Sequence, residues 1–270
     1  MPSRFPARPA ILALAFPFAL PALAALPSGP EAVDSRALGY YRQAAAGPDS
    51  IVFVAEGDLW SVPYSGGMAR RLTSRPADAY SPALSADGRW LAFVGRYDGA
   101  PEVYVMPAQG GATKRLTIDG DRGVKVEGWS RDGRVLVSSS RYSGKPDTRL
   151  YLIHPDSGER TPLPLAEAAE ACLDAQGLPT LFAREPQPSD NVVGYVGGKR
   201  QQLWSWQPGR EAKPAFPGHP GTSRQPMCDD GQAYFISDKG GRLNLWRARL
   251  DADGALADSQ PLTHYQDFEV

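Results

Sequence analysis

From residue 50 onward the chain is built of short runs in which apolar and polar residues alternate, and the three-to-four-residue apolar spacing of an amphipathic helix is missing. Five of these runs share one order, polar then aliphatic then aromatic: Asp58-Leu59-Trp60-Ser61-Val62, Glu102-Val103-Tyr104-Val105-Met106, Arg149-Leu150-Tyr151-Leu152-Ile153, Gln202-Leu203-Trp204-Ser205-Trp206 and Asn244-Leu245-Trp246-Arg247-Ala248. The aliphatic positions 59, 103, 150, 203 and 245 are separated by 44, 47, 53 and 42 residues, which brackets the length of one four-stranded propeller blade.

Each run is followed by a turn, as in Ser65-Gly66-Gly67, Gln109-Gly110-Gly111 and Ser157-Gly158, where glycine supplies the positive φ of a tight hairpin. A returning strand comes next, marked by Arg71-Leu72-Thr73, Arg115-Leu116-Thr117 and Pro261-Leu262-Thr263, with a weaker copy in Thr161-Pro162-Leu163; charge and proline suit an outer edge. Between repeats stands another shared element, Ser81-Pro82-Ala83-Leu84-Ser85-Ala86-Asp87-Gly88-Arg89. It is echoed by Glu127-Gly128-Trp129-Ser130-Arg131-Asp132-Gly133-Arg134 and by Pro226-Met227-Cys228-Asp229-Asp230-Gly231-Gln232. The strand after its Asp-Gly turn is strongly apolar, as in Trp90-Leu91-Ala92-Phe93-Val94 and Ala233-Tyr234-Phe235-Ile236, and suits a central position packed on both faces. Each repeat therefore predicts an inner, two central and an outer strand, and the fold class is all-β, a β-propeller of four-stranded blades.

Composition agrees, since 28 Gly and 26 Pro suit many turns better than long helices. Arg4 and Arg8 precede an apolar run from Ile11 to Leu20 that ends in Ala22-Leu23-Ala24, so residues 1–24 read as a cleavable signal peptide, with 25–37 as a lead-in. The expected location is periplasmic or secreted, with no membrane attachment after cleavage. Losing the two arginines takes the net charge from −1 to −3, which gives no electrostatic reason to bind nucleic acid. Cys172 and Cys228, in an oxidising compartment, are either one disulfide or two buried thiols; connectivity does not follow from sequence.

Candidate chemistry is thin. The recurrent Trp60, Tyr104, Tyr151, Trp204 and Trp246 fit inter-blade packing better than a ligand-stacking ladder, because they hold one place in every repeat. Asp251-Ala252-Asp253-Gly254 has the look of a calcium loop but falls where the other repeats turn. Gly128-Trp129-Ser130-Arg131-Asp132 comes nearest to a GxSxG nucleophile turn, with aspartate in place of the second glycine; His154, His219 and His264 are read as surface or packing residues. No catalytic, metal or cofactor-binding residue is assigned, and no cofactor is expected.

The residues Ile51-Val52-Phe53-Val54-Ala55-Glu56-Gly57-Asp58-Leu59-Trp60-Ser61-Val62-Pro63, then Gly66-Gly67 and Arg70-Arg71-Leu72-Thr73, resemble the opening of tricorn-like protease propellers. The likeness continues through residues 81–95 and 102–117, through Tyr195, Gly197-Gly198 and Leu203-Trp204, to Leu262-Thr263-His264-Tyr265-Gln266-Asp267-Phe268. A single repeat of this kind also occurs in TolB; the ordered series is more specific. The resemblance implies a six-bladed propeller leading to a second propeller, a PDZ-like module and a serine-protease core, with the propellers filtering peptides or unfolded polypeptide. Residues 38–265 would supply five blades and 266–270 the start of a further one, so the chain reads as a truncated, noncatalytic region whose partners are peptides and the remaining domains of the parent peptidase. The apolar faces of the first and fifth sheets, including Ile51-Val52-Phe53-Val54 and Ala233-Tyr234-Phe235-Ile236, would then lack neighbours and favour self-association. The alternative is a stand-alone TolB-like periplasmic module that binds protein.

Overall fold

The computed structural model describes residues 39–74, 76–144, 147–187 and 197–266. The signal peptide, the lead-in and residues 267–270 of the expected further blade lie outside them. Five four-stranded sheets follow one another. The first holds β1 (Arg42–Ala46), β2 (Ser50–Ala55), β3 (Asp58–Pro63) and β4 (Arg70–Arg71); the second holds β5 (Ala79–Leu84), β6 (Trp90–Gly95), β7 (Glu102–Pro107) and β8 (Lys114–Arg115). The third holds β9 (Lys125–Trp129), β10 (Val135–Ser139), β11 (Arg149–Ile153) and β12 (Arg160–Pro162). The fourth holds β13 (Glu170–Leu173), β14 (Pro179–Ala183), β15 (Leu203–Ser205) and β16 (Lys213–Pro214), and the fifth β17 (Ser223–Asp229), β18 (Gln232–Ser237), β19 (Asn244–Leu250) and β20 (Leu256–Pro261). Strand order within each sheet is chain order, the antiparallel meander of a propeller blade.

The continuous apolar run of each central strand follows from the two-residue period of a strand, which sends alternate side chains to opposite neighbours. Leu91 and Phe93 of β6 pack with Val52, Val54 and Leu59 of the first blade. Ala92 and Val94, between them in sequence, pack with Val126, Val135 and Val137 of the third. Leu136, Leu150 and Leu152 meet Ala168, Ala171 and Phe182 across the next seam, and Leu181, Ala183 and Leu203 meet Ala233, Phe235 and Trp246 across the last. Among the described residues these four cores join five blades, and none joins the fifth to the first.

On the outward face of the first blade Ile51, Phe53, Trp60 and Val62 are half-buried, and Tyr41 rests edge-on to Phe53 with ring centroids 5.1 Å apart. Tyr234 and Leu245 are half-buried on the fifth, beside exposed Arg247 and Arg249. The expectation that whole strands lose their neighbours is thus corrected to alternate residues: Val52, Val54, Ala233 and Phe235 are buried against adjoining blades.

The repeated motifs are hinges of this scaffold. The Leu72 N–H donates to the Leu59 carbonyl at 2.7 Å, while the Thr73 hydroxyl accepts the Leu59 N–H at 2.9 Å and donates to Asp58 at 2.6 Å. Thr117 repeats this with Val103 and Glu102, and Thr263 with Leu245 and Asn244. In the fourth blade the same N–H, that of Leu203, is accepted by Ser223 of the fifth blade at 3.0 Å. The Ser-x-Asp-Gly-Arg turn is equally self-contained: Ser85 donates to Asp87 at 2.6 Å and accepts the Trp90 N–H at 2.9 Å, while Arg89 Nε donates to the other Asp87 oxygen at 2.6 Å. Gly88 in that turn has φ 68°, and a Cβ there would lie 2.6 Å from Pro48, so glycine is required twice over.

Candidate functional site: the axial channel

The inner strands β1, β5, β9, β13 and β17 surround two cavities of about 860 and 510 Å³, each lined from all five blades. Their backbones are bulged. Gln43, Ser81 and Gln225 sit at positive φ (50°, 49° and 51°), each where the pairing of the inner strand with its neighbour shifts register. Such a bulge turns a backbone N–H away from its own ladder, and a side chain of the preceding blade takes it. Gln43 Oε1 accepts the Ser81 N–H at 2.9 Å, and Glu170 Oε2 accepts the Gln225 N–H at 2.7 Å.

The channel wall carries a pair of carboxylates from neighbouring blades. Glu127 of β9 is half-buried and lines both cavities; Ser138 donates to its Oε1 at 2.8 Å. Glu170 of β13 is buried and accepts from the Gln225 N–H and from Gln201 Nε2 at 3.1 Å. Enclosure by the channel wall, and secondly the charge of Glu170, push the Glu127 carboxyl up to about 7, against the opposing pull of Lys125 and Ser138. The wall of this passage thus carries a carboxyl that titrates near neutrality, and its rim exposes Gln43, Gln225 and Met227.

Cys172 and Cys228 form a disulfide with Cα atoms 5.6 Å apart, stitching the inner strands of the fourth and fifth blades together at the channel wall. The buried-thiol alternative is thereby set aside. Three of the recurrent aromatics pack at blade seams: Tyr104 lies in the core between the first two blades, Trp204 packs against that between the third and fourth, and Trp246 lies in that between the last two, where its Nε1 donates to the Ser237 carbonyl at 3.0 Å; Trp60 is half-buried on the outward face of the first blade, and Tyr151 rests against the Tyr142 ring. Asp251 Oδ1 accepts the N–H groups of Asp253 (2.9 Å) and Ala255 (2.7 Å), so this segment is a turn held by its own aspartate. The Ser130 hydroxyl is committed to Asp132 and to the Arg134 N–H in the repeat turn. His154 is exposed, its Nδ1 accepting from Asp156 and Ser157; His264 is exposed beyond β20.

His219 has a partner set that its place in the sequence does not announce. Its Nε2 lies 2.8 Å from Asp238 Oδ1 and 3.2 Å from Ser237 Oγ. A hydrolytic triad needs the carboxylate on one imidazole nitrogen and the nucleophile on the other, so that the ring can accept a proton while it is held in place. Here both partners compete for one nitrogen, and Ser237 is 0 % exposed. Asp238 Oδ1 also accepts the Thr222 N–H at 2.8 Å, so the cluster anchors the loop leading into β17.

Comparison with known proteins gives this architecture a lineage. The family described as the tricorn protease N-terminal beta propeller domain matches over residues 38–270. Tricorn protease homolog 1 of Streptomyces coelicolor is 32 % identical over 206 residues, which is 74 % of this chain and 19 % of that protein. The putative tricorn-like protease N-terminal subunit of Sulfurisphaera tokodaii is 25 % identical over 61 % of this chain and 85 % of its own length. The crystal structure of the tricorn protease superposes with a TM-score of 0.73 at 22 % identity over 86 % of this chain and 23 % of that one. A putative TolB from Agrobacterium tumefaciens superposes with a TM-score of 0.63 at 16 % identity over 83 % and 81 %. The chain thus spans about a fifth of the length of the Streptomyces relative. Five meandering blades about a bulged channel, matched by one family over nearly all of their length, establish that the chain belongs to the tricorn protease N-terminal β-propeller family.

Proposed function

We propose that the chain is the noncatalytic propeller region of an exported tricorn-like peptidase and that its axial channel admits extended peptide towards a protease core. The observation that carries this reading is the passage lined from all five blades, with half-buried Glu127 and exposed Gln225 and Met227 on its wall. A sixth blade, completing the ring between the fifth and first sheets, would cover half-buried Phe53, Trp60, Tyr234 and Leu245; without one, those faces favour association of copies. Export is supported by the Cys172–Cys228 bridge, since disulfides persist in oxidising compartments.

Placing a photo-cross-linking amino acid at Met227, which lines both cavities, and another at Met68, 94 % exposed, tests the channel directly. Fluorescent casein fragments are expected to label the first position and spare the second; equal labelling removes the channel reading. Cross-linking of a folded envelope protein in place of peptide would support instead the stand-alone TolB-like module. The purified chain is expected not to hydrolyse casein, and turnover abolished by Ser237→Ala would overturn the noncatalytic assignment.

A further inference from the structure

The third blade carries a second recess, remote from the channel, that no step of the peptide reading uses. It has a volume of about 510 Å³ and is lined by Tyr142, Arg149, Tyr151, Gly158, Arg160 and Pro162, from the last two strands of the blade and the loop before them. That size lies in the range of small-ligand pockets. Its polar atoms are all donors at the back and one phenol at the front. Tyr151 is 7 % exposed, and among the described residues its hydroxyl has no hydrogen-bond partner. Among the same residues Arg149 Nε is buried without an acceptor, and no carboxylate pairs with that guanidinium.

Arg160, by contrast, is balanced: it donates to Asp119 at 3.0 Å and to the Tyr142 hydroxyl, and its guanidinium lies 5.0 Å from the Tyr142 ring centre. The Tyr142 ring stands edge-on to Tyr151 with centroids 5.5 Å apart and is 46 % exposed, so it covers the orphan donors from the solvent side, held there by its hydroxyl, which donates to Asp119 at 2.8 Å and accepts from Arg160; an incoming anion has to displace those bonds. Burial pushes the Tyr151 hydroxyl above its ordinary value, while Arg149 and Arg160 pull it back, which places both cations in the electrostatic neighbourhood of that oxygen.

An unpaired buried donor is unfavourable, and two of them beside an uncompensated positive charge call for an acceptor that carries negative charge. We propose that this recess is an oxyanion-binding site, in which Tyr142 swings aside and a carboxylate or sulfate-like group accepts from Arg149 Nε and the Tyr151 hydroxyl, with Arg160 and the Pro162 ring forming the walls. The site is independent of the channel.

Titration calorimetry on the whole chain at low ionic strength, where the charge is least screened, tests it. The probes are sulfate, acetate, a short N-acetylated peptide with a free C-terminal carboxylate, and the same peptide amidated. Binding is expected for sulfate or the free peptide and is expected to weaken at least about tenfold in Arg149→Gln and in Tyr151→Phe, with the exposed-surface variant Arg247→Gln unaffected. Tyr151→Phe keeps the ring and removes only the orphan hydroxyl, so it folds and still reports on the site. Sulfate binding as tightly as the peptide assigns the recess to a free oxyanion, whereas preference for the free over the amidated peptide assigns it to a peptide C-terminus. Absence of binding by all four probes, or binding that survives both variants, overturns the proposal.

Discussion

Replacing Glu127 with glutamine keeps an acceptor for Ser138 and removes the charge that faces Glu170 across the seam between the third and fourth blades. Enclosure and the Glu170 charge raise the Glu127 carboxyl from its ordinary 4.5 to about 7 in the folded chain, so the folded state holds a proton that the unfolded chain gives up more readily. Between those two values the native state binds more protons than the unfolded one, and stability falls as pH rises. The benefit of the neutral form is fully present below about pH 4 and lost above about pH 8. Fully developed, the displacement corresponds to roughly 3 kcal/mol. Because Glu127 is half-buried, about 2 kcal/mol is the amount to expect after screening. For a domain of this size that is roughly 4–8 °C in Tm. Thermal melts of parent and Glu127→Gln followed by circular dichroism should coincide near pH 4, separate progressively between about pH 4.5 and 7 and keep a constant offset above about pH 8, the variant being the more stable. Parallel curves across that window, or a variant less stable than the parent at alkaline pH, would refute the reasoning.

Three further outcomes follow. Thr73→Val removes the hydroxyl that satisfies both the Leu59 N–H and Asp58, and should lower unfolding free energy by about 1–3 kcal/mol in urea melts, with Thr117→Val behaving alike. Opening the Cys172–Cys228 bridge, which spans 56 residues, should cost about 4 kcal/mol by chain entropy, and intact-mass analysis of non-reduced protein should show a chain short of two hydrogens. Adding the next segment of the natural reading frame as a sixth blade should raise Tm and leave a monodisperse species in light scattering; a five-blade chain that is already a stable monomer would count against the missing-blade reading.

What could be read from the sequence was whatever one blade encodes by itself. The aliphatic positions 59, 103 and 245 are legible because each is the second residue of the third strand of its blade and is capped by a threonine 14 residues on in the first two blades and 18 in the fifth. The two-sided apolar runs are legible because a strand alternates, although the same alternation means that only every second residue of β2 and β18 faces away from a neighbour. Interactions between blades were not legible. The disulfide depends on the spacing of two inner strands in different sheets, and His219 meets an aspartate nineteen residues later, at the end of β18. Glu127 did leave a trace, for it stands where the other copies of the motif carry Pro82 and Pro226. Such a break in a repeat marks a position released from scaffold duty, but its partner Glu170 emerges only from the seating of one blade on the next.

The cap on Leu203 bears on how the chain is made. Blades one and two take their threonine caps from their own sequence, so each can finish its hydrogen bonding as soon as it leaves the ribosome. Blade four cannot: its Leu203 N–H waits for Ser223, its Glu170 for the Gln225 N–H, and its Cys172 for Cys228, all supplied by blade five. Synthesis therefore passes through a stage at which the fourth sheet is present but unfinished, its Glu170 held by Gln201 alone and its thiol unpaired. The fourth blade is thus finished only by the fifth, and the disulfide closes only once both inner strands are in place.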